Sequence, residues 1–518
     1  MPFGPSILTF LVFSPLPFLV LALLLPKSAI RAFPLLSLTA SFIQLALAVY
    51  ATYLFVHSGS SSTLSSNPYS LGERHSWFAI FEGNGLSPLL VEYFVGADGL
   101  SLAMLLLSGI VMVVAAIASF SISHSQKGYH ALFLFLSVAV PGCFVAQDAF
   151  LFYLFFELML IPMYFLVGLW GGERKEFAAI QFFIYTLVGS LFILGGFAIA
   201  YLVDNTTGML NTGYVSNATL SAWQETFVLG LTLRQAMFWL LFVGFLIKLP
   251  AFPLHTWLPL AHVQAPTSVS IILAGILLKT GGYGILRWAV PLAPDIASQS
   301  AGIIATIGGI SILYAALLAL AAHDFKKMIA LSSISHMGFV LLGIASFSAY
   351  GWVGASFQLF SHGLISSGLF LLAGYMQSQF QTRDLQHIAG TLSVAPAFSF
   401  FLASFFFAGM GLPGFSGFIG EFLVLVSSFG SASRQHIGYA GPLLAIAGLL
   451  VTSGFFLWAL RRVLMGPFWL FLSANMRAAY PMPLYLRATL GALLLLIIGL
   501  GLYPAPLLNL LQSAAPKF

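Results

Sequence analysis

The chain has 518 residues, 60% hydrophobic and 6% charged, with a mean hydropathy of +1.00; soluble domains carry roughly 25% charged residues, so this is an integral membrane protein. A net charge of +5 and a pI near 9.2 arise from nineteen Lys and Arg scattered without a basic block, which excludes a phosphate-binding stripe for nucleic acid. The single cysteine, Cys143, sits in an apolar run and excludes a disulfide framework or a thiolate iron–sulfur or zinc site built from this chain alone.

The first apolar run, "SILTFLVFSPLPFLVLALLLPK", is long enough to span and lacks the basic n-region of a secretory signal and the Arg-rich pattern of a transit peptide. It is expected to be an uncleaved first helix. At roughly 20 apolar residues per crossing, fourteen segments follow, centred near residues 16, 45, 110, 138, 160, 190, 241, 277, 309, 338, 364, 408, 452 and 496. The segments near 241, 277, 364 and 408 are interrupted by Gly, Pro or polar residues. The expected fold is therefore an all-α polytopic membrane protein of about 14 transmembrane helices.

The distribution of basic residues fits that count. Odd-numbered loops and their helix ends hold Lys27, Arg31, Lys127, Arg174, Lys175, Lys326, Lys327, Arg383, Arg461, Arg462, Arg477 and Arg487, against Arg74, Arg234, Arg287, Arg434 and Lys517 on the other side, a ratio of twelve to five. Positive residues accumulate on the side from which the chain inserts, so both termini are expected on the opposite side. Lys248 and Lys279 fall in no loop. "HDFKK", His323 to Lys327, is expected to be a solvated anchor.

Charges inside the spans point to function. Glu157 lies in "FLFYLFFELMLIPMYFLVGLW", Lys248 precedes the break in "FLIKLPAFPLH", Lys279 lies in "IILAGILLKTGGYG" and Glu421 follows "GLPGFSGFIG". An acid at a helix centre costs at least ~2.5 kcal/mol on insertion scales, so intramembrane ionisable groups mark ion or proton pathways by default. His255, His336 and His362 add groups that exchange protons near neutral pH. The bland reading of any one charge is an ion pair locking two helices, and of any one histidine a hydrogen bond to a carbonyl or hydroxyl. Four charges and three histidines on at least six helices make a purely structural role for all of them a poor account.

An internal repeat is suggested by "GSLFIL" at 189–194 against "SGLFLL" at 367–372, and by "LPAF" at 249–252 against "LPGF" at 412–415. Both LP-x-F turns break a helix beside an intramembrane charge, and broken helices at membrane depth are tolerated where they line a hydrated cavity. Haem is not expected, because His323 is in a loop and no second spaced pair exists, although a haem- or quinone-binding redox protein stays a third alternative; no phosphate-binding glycine motif supports a nucleotide. "NTT" at 205–207 and "NAT" at 217–219 match the glycosylation pattern by chance. No cofactor and no metal are expected.

"FELMLIPMYFLVGLWGG", "FLIKLPAFPLHTWLPLAHVQAPTS", "LAGILLKTGGYG", "LSSISHMGFVLLG", "FSHGLISSGLF" and "LPGFSGFIGEF" together resemble the antiporter-like membrane subunits of respiratory complex I, NADH:ubiquinone oxidoreductase, and within them subunit 4, chain M in bacterial enzymes. The resemblance covers about residues 95–465. It implies two inverted five-helix repeats containing broken helices, at 126–290 (helices 4–8) and 291–466 (helices 9–13), flanked by 1–125 and 467–518. It also implies a non-redox role in the enzyme: proton translocation driven by electron transfer in other subunits. Residue by residue, Glu157 and Lys248 match the interacting pair of the first half-channel and Lys279 the central lysine of the hydrated axis. His255, His336 and His362 match the histidines of that axis, and Glu421 the terminal carboxylate, where the subunit 2 and 5 paralogues carry lysine. Leu260 departs from the pattern, since relatives often have an acid there. Implied partners are other membrane-arm subunits, including the subunit 2-like and 5-like paralogues, together with lipids and protons. The expected location is the mitochondrial inner membrane, with a bacterial plasma membrane or thylakoid as alternatives. A stand-alone monovalent cation/proton antiporter, which shares these motifs, is the alternative function.

Overall fold

The computed structural model describes residues 7–57, 71–80, 89–203, 227–228, 231–467, 469–470 and 481–516. The two glycosylation-like triplets, Arg477 and Lys517 lie outside them. In hydrocarbon every backbone polar group must be satisfied within the chain, and helices do so locally, which is why uninterrupted apolar runs become helices here. They are α1 (Ile7–Leu24), α2 (Ala32–His57), α3 (Gly99–Ser121), α4 (Gln126–Val145), α5 (Ala149–Trp170), α6 (Lys175–Tyr201), α7 (Leu233–Lys248), α8 (Trp257–Gln264), α9 (Thr267–Leu292), α10 (Ala301–Leu320), α11 (Phe325–Ala345), α12 (Ala349–Phe380), α13 (Pro396–Gly409), α14 (Ser416–Ser433), α15 (Ala440–Leu464) and α16 (Leu484–Leu502).

Thirteen helices among the described residues are long and apolar enough to cross a membrane. One of these, α14, follows α13 across the LPGF turn as the second half of a broken crossing, while α7 and α8, individually too short, flank the LPAF turn as another. Twelve unbroken crossings and two broken ones give the fourteen segments expected, and every expected centre falls inside its helix. Several starts are set by polar caps. The carboxylates of Asp98, Asp148 and Asp324 accept from Ser101, Leu151 and Lys327 N–H at the heads of α3, α5 and α11, and Thr232 forms a reciprocal capping box with Gln235 at α7. The segment before α3 holds the sequence's main surprise, an antiparallel pair β1 (Glu73–Ile80) and β2 (Leu89–Val95).

The chain divides into two compact units, one formed by 1–170, 179–249 and 277–299, the other by 171–178, 250–276 and 300–518. Within the first, α2 packs on α3, α4 on α5, and α7 on the latter part of α9. Within the second, α10 packs against both α11 and α15, and α12 against α14. Outward faces carry Leu24, Leu450 and Leu495 at 77%, 71% and 73% exposure, apolar surface suited to lipid or partner helices rather than water.

Candidate functional site

Lys248 is the last residue of α7, where "LPAFP" removes the N–H groups that would continue the helix. It is 3% exposed. Its ammonium lies 4.9 Å from the centre of the Phe156 ring and 5.8 Å from that of Phe182. Glu157, the residue after Phe156 on α5, is partly buried. Among the described residues no ion pair joins the two within 4.0 Å. The sequence expected an interacting Glu–Lys couple; in this structure the two form no ion pair, and aromatic rings stand at the ammonium.

Lys279 is fully buried on α9. Its stretch Leu278–Gly284 is α-helical, but π-helical turns at Leu273–Leu277 and Ile285–Ala289 bracket it. Such i→i+5 turns accommodate an extra residue per turn and concentrate at functional sites. Gly281 makes the placement possible: a Cβ there would stand 2.6 Å from Leu249 N and 2.7 Å from Phe245 O, so only a glycine lets α9 press against the broken end of α7. One turn beyond Lys279, Tyr283 donates to Phe144 O at 2.9 Å, and Arg287 pairs with Asp98 at 2.6 Å. Arg287, read from sequence as a loop cation, is thus tied to the head of α3. Arg234, read the same way, is 6% exposed and paired with Asp295.

In the second unit, His336 on α11, His362 and Gln358 on α12 and Glu421 on α14 form one cluster, all at most 6% exposed. His336 Nδ1 lies 3.3 Å from Glu421 Oε1 and 3.3 Å from Gln358 Nε2. One ring nitrogen therefore faces an acceptor and a donor, and its protonation decides which of them it serves. The His336 and His362 rings are 5.3 Å apart. Glu421 Oε1 and Gln358 Oε1 have no hydrogen-bond partner among the described residues, and buried polar atoms in that position are ordinarily met by water. The break before α14 brings Glu421 in. Gly411 (φ +72°) and Gly414 (φ +97°) adopt backbone that other residues resist, and a Cβ on Gly411 would collide with Glu421 Oε2. Ser361 and Ser416 hydroxyls, 2.7 Å apart, fasten α12 to the start of α14.

His255 sits in the LPAF break at 4% exposure, its ring 5.4 Å from that of Tyr314, and its Nδ1 has no hydrogen-bond partner among the described residues. It lines an open pocket of about 290 Å³ with Thr256, Pro259, Tyr314, Leu318 and Lys327. Lys327 is exposed at the head of α11, whereas Lys326 is 3% exposed and its ammonium donates to Ala265 O at 2.5 Å. The "HDFKK" segment is therefore half anchor and half clasp, which corrects the expectation of a fully solvated cluster. Arg383 donates to Val263 O at 3.0 Å. Two cations thus cap the carbonyl end of α8, where the helix dipole favours positive charge. Leu260 is partly buried on α8.

Sequence reasoning missed Gln358 and Lys326. Gln358 lies four residues before His362, on the same helix face, a spacing that was available to be read. Among the described residues no group of three or more His, Cys, Asp or Glu is arranged to hold a metal.

Ionisable side chains buried at two helix breaks within a many-crossing helical chain define a membrane protein of the ion-translocating, antiporter-like class. Residues 146–445 match the family described as NADH:quinone oxidoreductase/Mrp antiporter, transmembrane, and the chain belongs to that family. It is 39% identical over 447 residues to NADH-quinone oxidoreductase subunit M of Rickettsia bellii, covering 86% of this chain and 85% of that one. It is 37% identical over 436 residues to NADH-ubiquinone oxidoreductase chain 4 of Chondrus crispus, covering 84% and 82%. Its fold is similar to a chain of respiratory complex I from Thermus thermophilus, with a TM-score of 0.77, 27% identity and 98% of both chains covered.

Proposed function

We propose that this chain is the proton-translocating, antiporter-like subunit of a respiratory NADH:quinone oxidoreductase, the counterpart of subunit M or chain 4, and that it carries no redox centre itself. The observation that carries the reading is the placement of Lys248 and Glu421, both 3% exposed, beside the two helix breaks of a chain only 6% charged. In this reading Glu157, Lys248 and Lys279 handle protons in the first unit, and His255, His336, His362 and Glu421 in the second. A lysine withdrawn from water holds its proton less firmly, and an ionised carboxylate nearby holds it more firmly, so relative motion of Glu157 and Lys248 loads or releases a proton. His336 works as a relay, exchanging Gln358 for Glu421 as its partner when Nδ1 gains a proton. Gln358 Oε1, which has no hydrogen-bond partner among the described residues, and the pocket at His255 support a wetted path.

Helices at 126–290 and 291–466 act as the two antiporter-like repeats, between 1–125 and 467–518. Partners are the other membrane-arm subunits, with subunit 2-like and 5-like paralogues as neighbours, and the outward apolar faces suit both these and lipid. A mitochondrial inner membrane is the proposed location, with a bacterial plasma membrane, which the Rickettsia relative suits, as the alternative. The test is affinity purification of the tagged chain from its native membrane. Co-purification with NADH-oxidising subunits, with quinone-dependent proton uptake by reconstituted vesicles, is expected. Recovery alone, with NADH-independent sodium/proton exchange, would overturn the reading in favour of a stand-alone antiporter.

A further inference from the structure

Lys248 ends on aromatic rings, and nothing in the pairing of Glu157 with Lys248 accounts for them. The Phe156 ring is 2% exposed and that of Phe182 fully buried. Phe156 is held edge-on by Phe245, centroids 6.0 Å apart at 84°, and Phe245 lies three residues before Lys248 on α7. The helix that carries the ammonium thus also fixes the ring that receives it. A ring face attracts a cation through its quadrupole out to about 6 Å, and more strongly when both are desolvated. Phe156 at 4.9 Å is well inside that limit and Phe182 at 5.8 Å close to its edge.

We propose that Phe156 and Phe182 form a second seat for the Lys248 ammonium, so that the lysine alternates between an aromatic seat and the carboxylate of Glu157. This rests on the proton-translocating reading above and deepens it. Phe156 and Glu157 are consecutive on α5, about 100° apart around the helix, so a rotation of the lysine side chain carries the charge from one seat to the other. While the ammonium is away from Glu157, a buried cation with no counter-charge in contact would be expelled or neutralised. The rings supply attraction without a proton acceptor. That attraction is weaker than the carboxylate's, so the lysine holds its proton less firmly in the aromatic seat than beside Glu157, and the aromatic seat is the one from which it releases the proton. Phe156 and Phe182 are positioning residues in this scheme: neither touches the proton's path.

The test is stepwise fluorination in the assembled complex, replacing Phe156 by mono-, di- and trifluorophenylalanine through nonsense suppression. Fluorine drains the ring's negative face while leaving its shape nearly unchanged and its hydrophobicity greater. Proton uptake per unit of assembled complex is expected to fall monotonically along the series, by roughly tenfold at the trifluoro ring, with a shallower fall for the same series at Phe182. A role in packing alone predicts no graded fall, and a flat series at Phe156 would overturn the aromatic seat. Glu157→Gln is measured alongside. If it abolishes pumping while the fluorine series is flat, the seat is refuted and the Glu157–Lys248 switch stands. If assembled Glu157→Gln pumps normally, the switch falls and the seat with it.

Discussion

Gly411 and Gly414 offer a matched pair in the break before α14. Both occupy positive-φ backbone, at +72° and +97°, so alanine at either costs about 1–2 kcal/mol in backbone strain. They differ in what a methyl meets. At Gly414 there is nothing within 4 Å, whereas at Gly411 it collides with Glu421 Oε2 and must drive the carboxylate from its position 3.3 Å from His336 Nδ1. Gly411→Ala and Gly414→Ala are therefore expected to lower the amount of assembled complex to a similar, modest extent, while only Gly411→Ala suppresses proton uptake per assembled complex, by tenfold or more if about 1.4 kcal/mol of the Glu421–His336 interaction is lost. Native gels give assembly, and acidification-sensitive dye in sealed vesicles gives pumping at matched NADH oxidation. Equal pumping by the two variants would refute a role for the Glu421 carboxylate at this position.

Other consequences can be measured in the same preparations. Gly281→Ala inserts a methyl against the backbone of Phe245 and Leu249; overpacking of this kind costs about 1–3 kcal/mol and is expected to lower thermal stability and coupled turnover together, whereas an unchanged melting midpoint would contradict the close approach. Lys326→Met orphans the Ala265 carbonyl and is expected to destabilise the complex by about 2 kcal/mol, while Lys327→Met, at an exposed site, leaves the midpoint unchanged; equal effects would return both lysines to the solvated anchor. Burial pushes the Asp148 carboxyl up to about 6, against the opposing pull of its Leu151 cap bond. Because the folded chain holds that proton more tightly than the unfolded chain, stability falls as pH rises from about 4 through 6. Asp148→Asn, which retains capping ability, is expected to flatten that part of the melting-midpoint profile, and parallel profiles for the two proteins would contradict the raised value.

Much of the fold was legible because hydrocarbon leaves a chain few options. All fourteen segments follow from apolar length, and both breaks from LP-x-F turns, since Pro and positive-φ Gly stop a helix whatever surrounds it. The β1–β2 pair was not legible: its strands of eight and seven residues, between the second and third crossings, are too short to span, and a search by span length passes over them. The ionisable candidates stood out by charge in apolar surroundings, the contrast that makes Glu157 or Lys248 conspicuous. Gln358 is neutral and raised no such contrast. Lys326 failed differently. A basic residue at a helix end reads as an anchor, and one residue, Lys327, does behave so; the helix turn that exposes Lys327 buries its neighbour against the end of α8. Arg234 and Arg287 were similarly counted as loop charges, because the acids they meet, Asp295 and Asp98, are 61 and 189 residues away in sequence. The rings around Lys248 could not be singled out from sequence, because 51 phenylalanines make any one of them unremarked.

The central claim, that Glu157 tunes Lys248 rather than locking it, is tested most directly by proton uptake in the Glu157→Gln complex. Breaking a buried contact pair costs roughly 3–5 kcal/mol and would prevent assembly, but no such contact within 4.0 Å joins these residues among those described. The variant is therefore expected to assemble at near wild-type level, oxidise NADH slowly with quinone and pump few protons. Wild-type proton uptake coupled to wild-type NADH:quinone turnover in the assembled variant would contradict the account.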